Sequence, residues 1–386
     1  MVHVWRRWHR QWHGSVLAAL RSSRSRVDVL ADRKQPALSR VYGWIIDRKR
    51  RREACHTQRI ALPYVPVLSV GNVTFGATGK TPFVQFLIDY VLKQAKEGQV
   101  PLLLSRGYGD DEWRMLAKQF PSCQMALGAD RVAVGAAKVK RLGGESAPLS
   151  CVVVDDGLQQ WRLSKDLEIV MVDALHPLGN GLLLPFGSLR ELPREALARA
   201  DVVVVHHADL LDGEELKMLM NSLQTLLAPQ RHSIVATSRM KVVEFIPAER
   251  MLSKEKCGSR IEATVETEAL LSANNSILVV CGVGNPESVM KVVEKLAHWA
   301  RVELKAFPDH HAFTLGDVDD ILEWVRELQQ NEKIVVVTTE KDIFRSPRAM
   351  RILADNVELR VLRCELELQH NRDKVKERIN ALLNLG

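Results

Sequence analysis

The sequence predicts an α/β fold in which helices cover a parallel sheet. Short apolar runs rich in β-branched residues recur along the chain, and segments with helical spacing of apolar residues separate them. The runs at 65–70, 101–105, 151–156, 167–173 and 201–207 form one block, and those at 276–284, 301–307, 334–340 and 357–366 form a second. We therefore expect a larger and a smaller α/β domain, with functional side chains at the carboxyl ends of the strands.

The first block opens with a strand, a glycine-rich turn and a helix, which is the context of a phosphate-binding loop. The turn ends in Gly79-Lys80-Thr81. Gly76 and Gly79 allow backbone N–H groups to turn toward phosphates, Lys80 can reach the β- and γ-phosphates, and the Thr81 hydroxyl can hold Mg²⁺. The strict pattern has glycine at position 74, where this chain has threonine. We interpret the segment as a variant P-loop in a P-loop NTPase-like sheet domain.

Acidic residues follow two strands of the same block. Asp155-Asp156 ends the third strand, where the Mg²⁺-holding carboxylate of P-loop proteins belongs. Asp110, Asp111 and Glu112 follow the second strand, and any of the three could accept a proton from an attacking hydroxyl. Spacing alone does not choose between them.

Asp309, His310 and His311 lie between a strand and a helix of the second block. Two adjacent histidines cannot easily face one ion, so a histidine that tunes a carboxylate base fits this segment better than a metal site.

The net charge of +7 over 386 residues is unevenly distributed. Residues 1–60 carry 15 Lys and Arg against four acidic residues, so the remainder is mildly acidic. Trp5, Trp8 and Trp12 recur at the spacing of a helix face, which favours a membrane surface or a targeting segment over nucleic acid. Six cysteines without a C-x-x-C pair indicate a reducing compartment. The chain has no apolar run of about 18 residues that would predict a transmembrane helix.

These patterns divide the chain into four parts. We expect a basic extension, interpreted as a transit peptide or surface helix, at 1–37 and a membrane-surface amphipathic segment at 38–59. The P-loop domain is expected at 60–235, and a smaller α/β domain with linker strands at 236–386.

Seven segments taken together resemble one known family. They are VGNVTFGATGKTP, LSRGYG, DDGLQ, GNGLLLPFGSLRE, CGVGNP, FPDHHAFT and TTEKD, and they occur in this order. Over about residues 38–345 the chain resembles the tetraacyldisaccharide 4′-kinases, or lipid A 4′-kinases. The resemblance implies ATP- and Mg²⁺-dependent phosphorylation of the 4′-hydroxyl of a tetraacyl diglucosamine 1-phosphate at a membrane surface. It also implies an active site between the two α/β domains, without a nucleic-acid partner, and it leaves the oligomeric state open.

The resemblance also implies roles for particular residues. The ATP-binding residues would be Thr74, Phe75, Gly76, Ala77, Thr78, Gly79, Lys80, Thr81 and Arg190. Asp111 would be the catalytic base, assisted by His310, with Lys80 as the third catalytic residue. Thr81, Asp156 and Glu191 would lie at the metal.

Two alternatives stay open at the level of sequence. A membrane-associated P-loop ATPase switch without sugar kinase activity would share the P-loop and the basic extension, but it gives no role to Asp309 and His310. The Arg-rich start of the chain, free of acidic residues, favours a mitochondrial and membrane-associated protein. The alternative location is the cytoplasmic face of a bacterial inner membrane.

Overall fold

The computed structural model describes residues 26–55, 59–107, 110–252, 267–271, 275–328 and 333–383. The expected N-terminal extension lies largely outside these residues. The side chains of Arg26, Val29, Asp110 and Asp111 lie outside the description as well, although their backbones are placed in helices.

One sheet of 11 strands organises the described chain. Its spatial order is β3-β2-β4-β1-β5-β6-β7-β11-β10-β8-β9, and every neighbouring pair is parallel except β7 with β11. The strands are β1 (Val67–Asn72), β2 (Val100–Ser105), β3 (Gln124–Leu127), β4 (Leu149–Asp155), β5 (Leu167–Asp173), β6 (Val202–His206), β7 (Ile234–Pro247), β8 (Ser276–Cys281), β9 (Arg301–Ala306), β10 (Ile334–Thr339) and β11 (Leu359–Leu368).

Helices connect most of the parallel strands, as the sequence pattern predicts. They are α1 (Arg26–Ala31), α2 (Ala37–Glu53), α3 (Lys80–Gln94), α4 (Asp110–Gln119), α5 (Arg131–Arg141), α6 (Pro193–Leu197), α7 (Gly213–Leu226), α8 (Ala248–Leu252), α9 (Pro286–Glu294), α10 (Leu315–Leu328), α11 (Glu340–Arg345), α12 (Pro347–Ala354) and α13 (Arg372–Leu383). Residues 267–271 are also helical.

The two blocks of strands share this sheet through β7. Its residues Ile234–Ser238 pair in parallel with β6, and Ser238–Pro247 pair in antiparallel with β11. The expected boundary between residues 235 and 236 therefore falls inside one strand. The α/β fold with a mostly parallel sheet is confirmed, while the division into domains stays a prediction.

The central strands are buried on both faces, which explains their nearly continuous apolar sequence. One core lies between the sheet and α3, and it includes Phe83 and Val91 together with Val375 and Ile379 of α13. The last described helix therefore packs beneath the helix that follows the P-loop.

Helix α2 contains the segment expected at a membrane surface. Leu38, Val41, Trp44 and Ile45 are all more than half exposed. Within the described residues, no helix has both the length and the apolar character needed to cross a membrane.

Candidate active site

The P-loop joins the end of β1 to the start of α3. Gly76 and Gly79 have φ angles of +109° and +86°, which glycine adopts without steric cost. The Asn72 amide nitrogen donates a hydrogen bond to Thr78 Oγ1 at 2.9 Å and holds the two sides of the loop together. The loop therefore has the conformation needed to present backbone N–H groups at the N-terminus of α3.

His206, at the end of β6, lies directly beneath this loop. A Cβ atom at Gly79 would lie 2.4 Å from Cδ2 of the His206 ring, so the ring leaves room only for glycine. The His206 Nδ1 atom is 3.0 Å from the Ser238 hydroxyl of β7. Burial holds the pKa of His206 well below its ordinary value, and the imidazole is therefore neutral. Sequence reasoning placed His206 at a strand end but gave it no role.

Lys80 and Asp156 face each other across the loop. Lys80 Nζ lies 3.7 Å from Asp156 Oδ1, and burial lowers the pKa of the lysine. Burial alone would raise the pKa of Asp156, but the charges of Lys80 and Arg190 outweigh it and lower that pKa. The two residues predicted to hold phosphate and metal are thus brought together.

The pKa of Asp155, the last residue of β4, shifts in the opposite direction to that of Asp156. Burial raises its pKa to about 6, and the charge of nearby Glu112 adds to the shift. Its carboxylate accepts a hydrogen bond from the Ser105 hydroxyl at 3.3 Å. Asp155 thus joins Asp156 and Glu112 in the lining of the cavity beside the P-loop, at the edge of the sheet where β2 and β4 end.

Arg190 and Glu191, adjacent in the chain, point to different places. The Arg190 guanidinium donates to Asp156 at 2.6 Å and lies over the Phe75 ring at 4.3 Å. Glu191 is buried, and its carboxylate is held by Arg199 at 2.8 and 2.9 Å and by Gln159 at 3.0 Å. The structure brings Arg190 to the cavity but not Glu191, which differs from the expected place of Glu191 at the metal. The reason is that Arg199 neutralises its charge behind the site.

The residues expected to supply the base open helix α4. Asp110 and Asp111 form its first turn, and their side chains lie outside the description. The next residue, Glu112, accepts hydrogen bonds from Thr81 Oγ1 at 3.3 Å and from Lys341 Nζ at 2.5 Å. Lys341 comes from α11, so this ion pair links the two blocks of the sheet.

The second block contributes the opposite wall. A Cβ atom at Gly284 would lie 3.0 Å from the Ala77 nitrogen, so this glycine allows close approach to the P-loop. Asn285 donates to Asp173 of β5 at 3.1 Å, which ties the start of α9 to the first block. His310 is half exposed, with φ of +59°, and its Nε2 lies 4.0 Å from Asp309. His311 Nε2 instead lies 2.9 Å from Asp317, so the adjacent histidines separate.

All these elements line one cavity of about 560 Å³, a volume typical of ligand sites. Of the predicted residues it includes Phe75 to Thr81, Asp156, Arg190 and His310. Sequence reasoning missed Arg131, His206, Asn285 and Lys341 as lining residues, named Asp155 only as part of the Asp155-Asp156 pair, and left Glu112 as one of three choices for the base. These residues lie at the ends of strands or helices, which the sequence could indicate. Only the strand order shows which of these ends meet at the P-loop. Among the described residues, no group of three or more His, Cys, Asp or Glu has the arrangement of a metal site.

Comparison with known proteins agrees with the geometry of this cavity. The family model of LpxK, the tetraacyldisaccharide-1-P 4′-kinase, matches residues 36–384. The probable mitochondrial tetraacyldisaccharide 4′-kinase of Arabidopsis thaliana is 34% identical, over 81% of this chain and 80% of that protein. The tetraacyldisaccharide 4′-kinase of Halothermothrix orenii is 30% identical, over 80% and 81% of the two chains.

The fold is also found in a solved structure. The crystal structure of LpxK from Aquifex aeolicus in complex with ATP superposes with a TM-score of 0.57 at 22% identity, and covers 90% of this chain and 97% of that one. Because the family model spans nearly the whole described chain, this protein belongs to the tetraacyldisaccharide 4′-kinase family.

Proposed function

We propose that this kinase binds ATP at the P-loop and transfers its γ-phosphoryl group to the 4′-hydroxyl of a tetraacyldisaccharide 1-phosphate. The observation that carries the proposal is the shared cavity, in which Lys80, Asp156 and Arg190 of the first block face His310 of the second. The names of the related proteins support the same acceptor. The solved relative in complex with ATP supports the nucleotide.

In this proposal the cations of the cavity bind the phosphate chain. Lys80, at the first turn of α3, contacts the β- and γ-phosphates, and the helix N-terminus adds its partial positive charge. Arg190, already oriented by Asp156 and the Phe75 ring, stabilises charge on the transferring group. Buried Arg131 lines the same cavity and adds a third cation.

We further propose that the Thr81 hydroxyl and the Asp155-Asp156 pair hold Mg²⁺. The carboxyl groups of Asp155, Asp156 and Glu112 line the cavity beside Thr81, and oxygen ligands of this kind suit Mg²⁺. Magnesium sites in kinases use one or two carboxylates and the phosphates themselves, so no larger cluster is required. When bound, Mg²⁺ would neutralise charge developing on the phosphoryl oxygens. Glu191, enclosed by Arg199 and Gln159, instead positions Gln159, which in turn accepts a hydrogen bond from Arg190 at 3.0 Å.

Asp111 is proposed as the general base on the resemblance to the family, and Glu112 beside it already accepts hydrogen bonds from Thr81 and Lys341. His310, on the opposite wall, would hydrogen-bond to the same carboxylate and tune its basicity. An ATPase switch without a sugar acceptor would leave His310 without a role. Membership of the kinase family does not favour such a switch.

The proposed place of the reaction is a membrane surface, and the proposed compartment is the mitochondrion. Helix α2 combines exposed Leu38, Trp44 and Ile45 with basic Arg48 and Arg51, a composition suited to an anionic lipid surface. The mitochondrial relative of Arabidopsis thaliana supports the compartment. Residues 1–25, which carry the targeting pattern, lie outside the described structure.

The experiment that tests the function is transfer of radiolabelled γ-phosphate from ATP to tetraacyldisaccharide 1-phosphate in detergent micelles with Mg²⁺. We expect labelled lipid from the wild type and a loss of at least about 100-fold in Lys80→Ala. Lys93→Ala removes an exposed lysine from the same helix and should retain full activity. ATP hydrolysis that needs Lys80 but labels no lipid would contradict the proposed acceptor.

The base assignment has its own test in the same assay. Asp111→Asn should still bind ATP in a calorimetric titration while phosphoryl transfer is lost, because the amide cannot accept the hydroxyl proton. Transfer that persists in Asp111→Asn would remove Asp111 from the mechanism.

A further inference from the structure

A segment of chain at residues 181–190 lies between helix α2 and the P-loop. On its α2 side, the Ser39 hydroxyl donates to the Leu183 carbonyl at 2.8 Å. A Cβ atom at Gly43 would lie 2.8 Å from Leu183 Cδ1, so the helix backbone packs closely against this segment. Gln35 adds hydrogen bonds to the backbone at both Gly181 and Leu183. The segment is therefore fixed to the helix that has the exposed apolar face.

The other side of the segment pairs with the first half of the P-loop. The Phe75 N–H donates to the Ser188 carbonyl at 2.7 Å, and the Arg190 N–H donates to the Val73 carbonyl at 2.9 Å. Thr74 and Leu189 form an antiparallel bridge between these two bonds. A shift of this segment would therefore move both Arg190 and the loop that binds phosphate.

Tyr42 connects the two sides directly. Its hydroxyl donates a hydrogen bond to the Arg190 carbonyl at 3.1 Å, and the side chain is partly buried. The backbone of Arg190 is thus held by Val73 of the P-loop at its nitrogen and by Tyr42 of α2 at its oxygen. Its guanidinium is then held by Asp156 and lies over Phe75.

We infer that Tyr42 is a positioning residue for phosphoryl transfer, through which helix α2 sets the place of Arg190 at the phosphates. The inference rests on the proposed function and deepens it, because it connects the helix that would meet the lipid surface with the cation at the reacting group. Because the Tyr42 hydroxyl donates to the backbone carbonyl of Arg190, its removal is expected to act on the orientation of this residue.

The test is Tyr42→Phe, which keeps the ring and removes the hydroxyl. We expect kcat for lipid phosphorylation to fall about threefold to tenfold, the range for one lost hydrogen bond, with KM for ATP within about twofold of the wild type. Tyr90→Phe is the matched control, because it removes a partly buried hydrogen bond of 2.8 Å to Asn380 at the far end of α3. The control should lower the melting temperature to a similar extent and leave kcat unchanged.

A second measurement asks whether Tyr42 acts through Arg190. In an Arg190→Lys background, where the guanidinium is absent, Tyr42→Phe should lower kcat by less than twofold further. An unchanged kcat in Tyr42→Phe alone would overturn the inference. The same fall of about threefold to tenfold in kcat in the Arg190→Lys background would overturn it as well. In both cases an active wild type would leave the proposed function standing. An inactive wild type would overturn both.

Discussion

Asp155 and Asp156 are adjacent in the chain, and the structure gives their carboxyl groups opposite pKa shifts. Burial and Glu112 raise the pKa of Asp155 to about 6, while Lys80 and Arg190 bring the pKa of Asp156 below its ordinary value. Each unit of pKa shift corresponds to about 1.4 kcal/mol between the two protonation states. The pair therefore makes opposite contributions to stability at neutral pH.

The first prediction concerns this pair in the protein without nucleotide or Mg²⁺. The raised pKa of Asp155 means that its charged form destabilises the folded state above pH 6. This loss of folding free energy decreases as the pH falls from 6 toward about 4, near the ordinary pKa of an aspartate. Asp155→Asn should raise the melting temperature by a few degrees at pH 7.5 and by less at pH 5.

Asp156→Asn is the matched variant, and it should have the opposite effect. The lowered pKa of Asp156 means that its charge stabilises the fold above its ordinary pKa and stops doing so at lower pH. Its melting temperature should therefore fall at pH 7.5. Equal shifts of the same sign in both variants would contradict the assignment of charge.

A second prediction concerns Gly79, where an added methyl group would meet the His206 ring at 2.4 Å. Gly79→Ala should raise KM for ATP and lower the free energy of unfolding by at least about 1 kcal/mol more than Gly98→Ala. Gly98 has a similar φ of +82° but nothing within 4 Å of the added atom. The loss of stability in Gly98→Ala therefore measures the backbone strain alone. Replacing His206 with alanine in the Gly79→Ala protein should recover part of the lost stability, measured by urea denaturation.

The sequence predicted the residues that a local motif defines and missed those that the topology brings together. Lys80, Thr81 and Asp156 follow from the pattern of strand, loop and helix, and they meet in the cavity. His206 and Lys341 line the same cavity but belong to distant segments of the chain. No spacing in the sequence indicates that they lie near the P-loop. Glu191 shows the converse, since its acidic side chain faces Arg199 and not the site.

At the scale of elements, α2 has a surface that faces no other described element. Leu38 and Trp44 are each 61% exposed, yet Ser39, Tyr42 and Gly43 of the same helix face the protein. An exposed apolar face on a helix that is otherwise attached to the fold is what the proposed contact with a lipid surface requires.

The third prediction tests this face. Leu38→Ser with Trp44→Ala should weaken sedimentation with anionic phospholipid vesicles by about tenfold or more, since each exposed side chain would bury apolar area on the membrane. Met218→Ser, on α7, removes a side chain that is 43% exposed and should leave binding unchanged. Binding that is equally strong in both variants would exclude α2 as the contact.

Among the elements, the long valine-rich strands were predicted well, because burial on both faces leaves a continuous apolar run. Strand β3 was missed because three of its four residues are partly buried and the fourth is exposed at the edge of the sheet. Helices α11 and α12 were missed because Pro347 separates two short segments, each with too few residues to show a helical period.

For the whole molecule, the shared strand β7 joins the two blocks within one sheet. It has 14 residues and pairs with β6 at one end and β11 at the other. The hydrogen bond from Asn285 to Asp173 and the ion pair of Lys341 with Glu112 add two links across the cavity.

The fourth prediction is that calorimetric unfolding shows one transition. Asn285→Ala with Lys341→Ala should lower the midpoint without splitting the peak, because β7 still connects the blocks. Tyr90→Phe, which removes the hydrogen bond from α3 to Asn380 of α13 and does not touch the links across the cavity, should likewise retain a single peak. Two resolved transitions in the wild type would show that the blocks unfold independently.

The packing of α13 beneath α3 has a consequence for synthesis of the protein. Val375 and Ile379 complete the core around Phe83, so residues almost 300 positions apart must meet before that core is closed. A ribosome exposes the basic start of the chain long before it releases α13. The core between α3 and the sheet therefore stays incomplete until α13 is synthesised, and this delay would favour import of the chain at the proposed mitochondrial location.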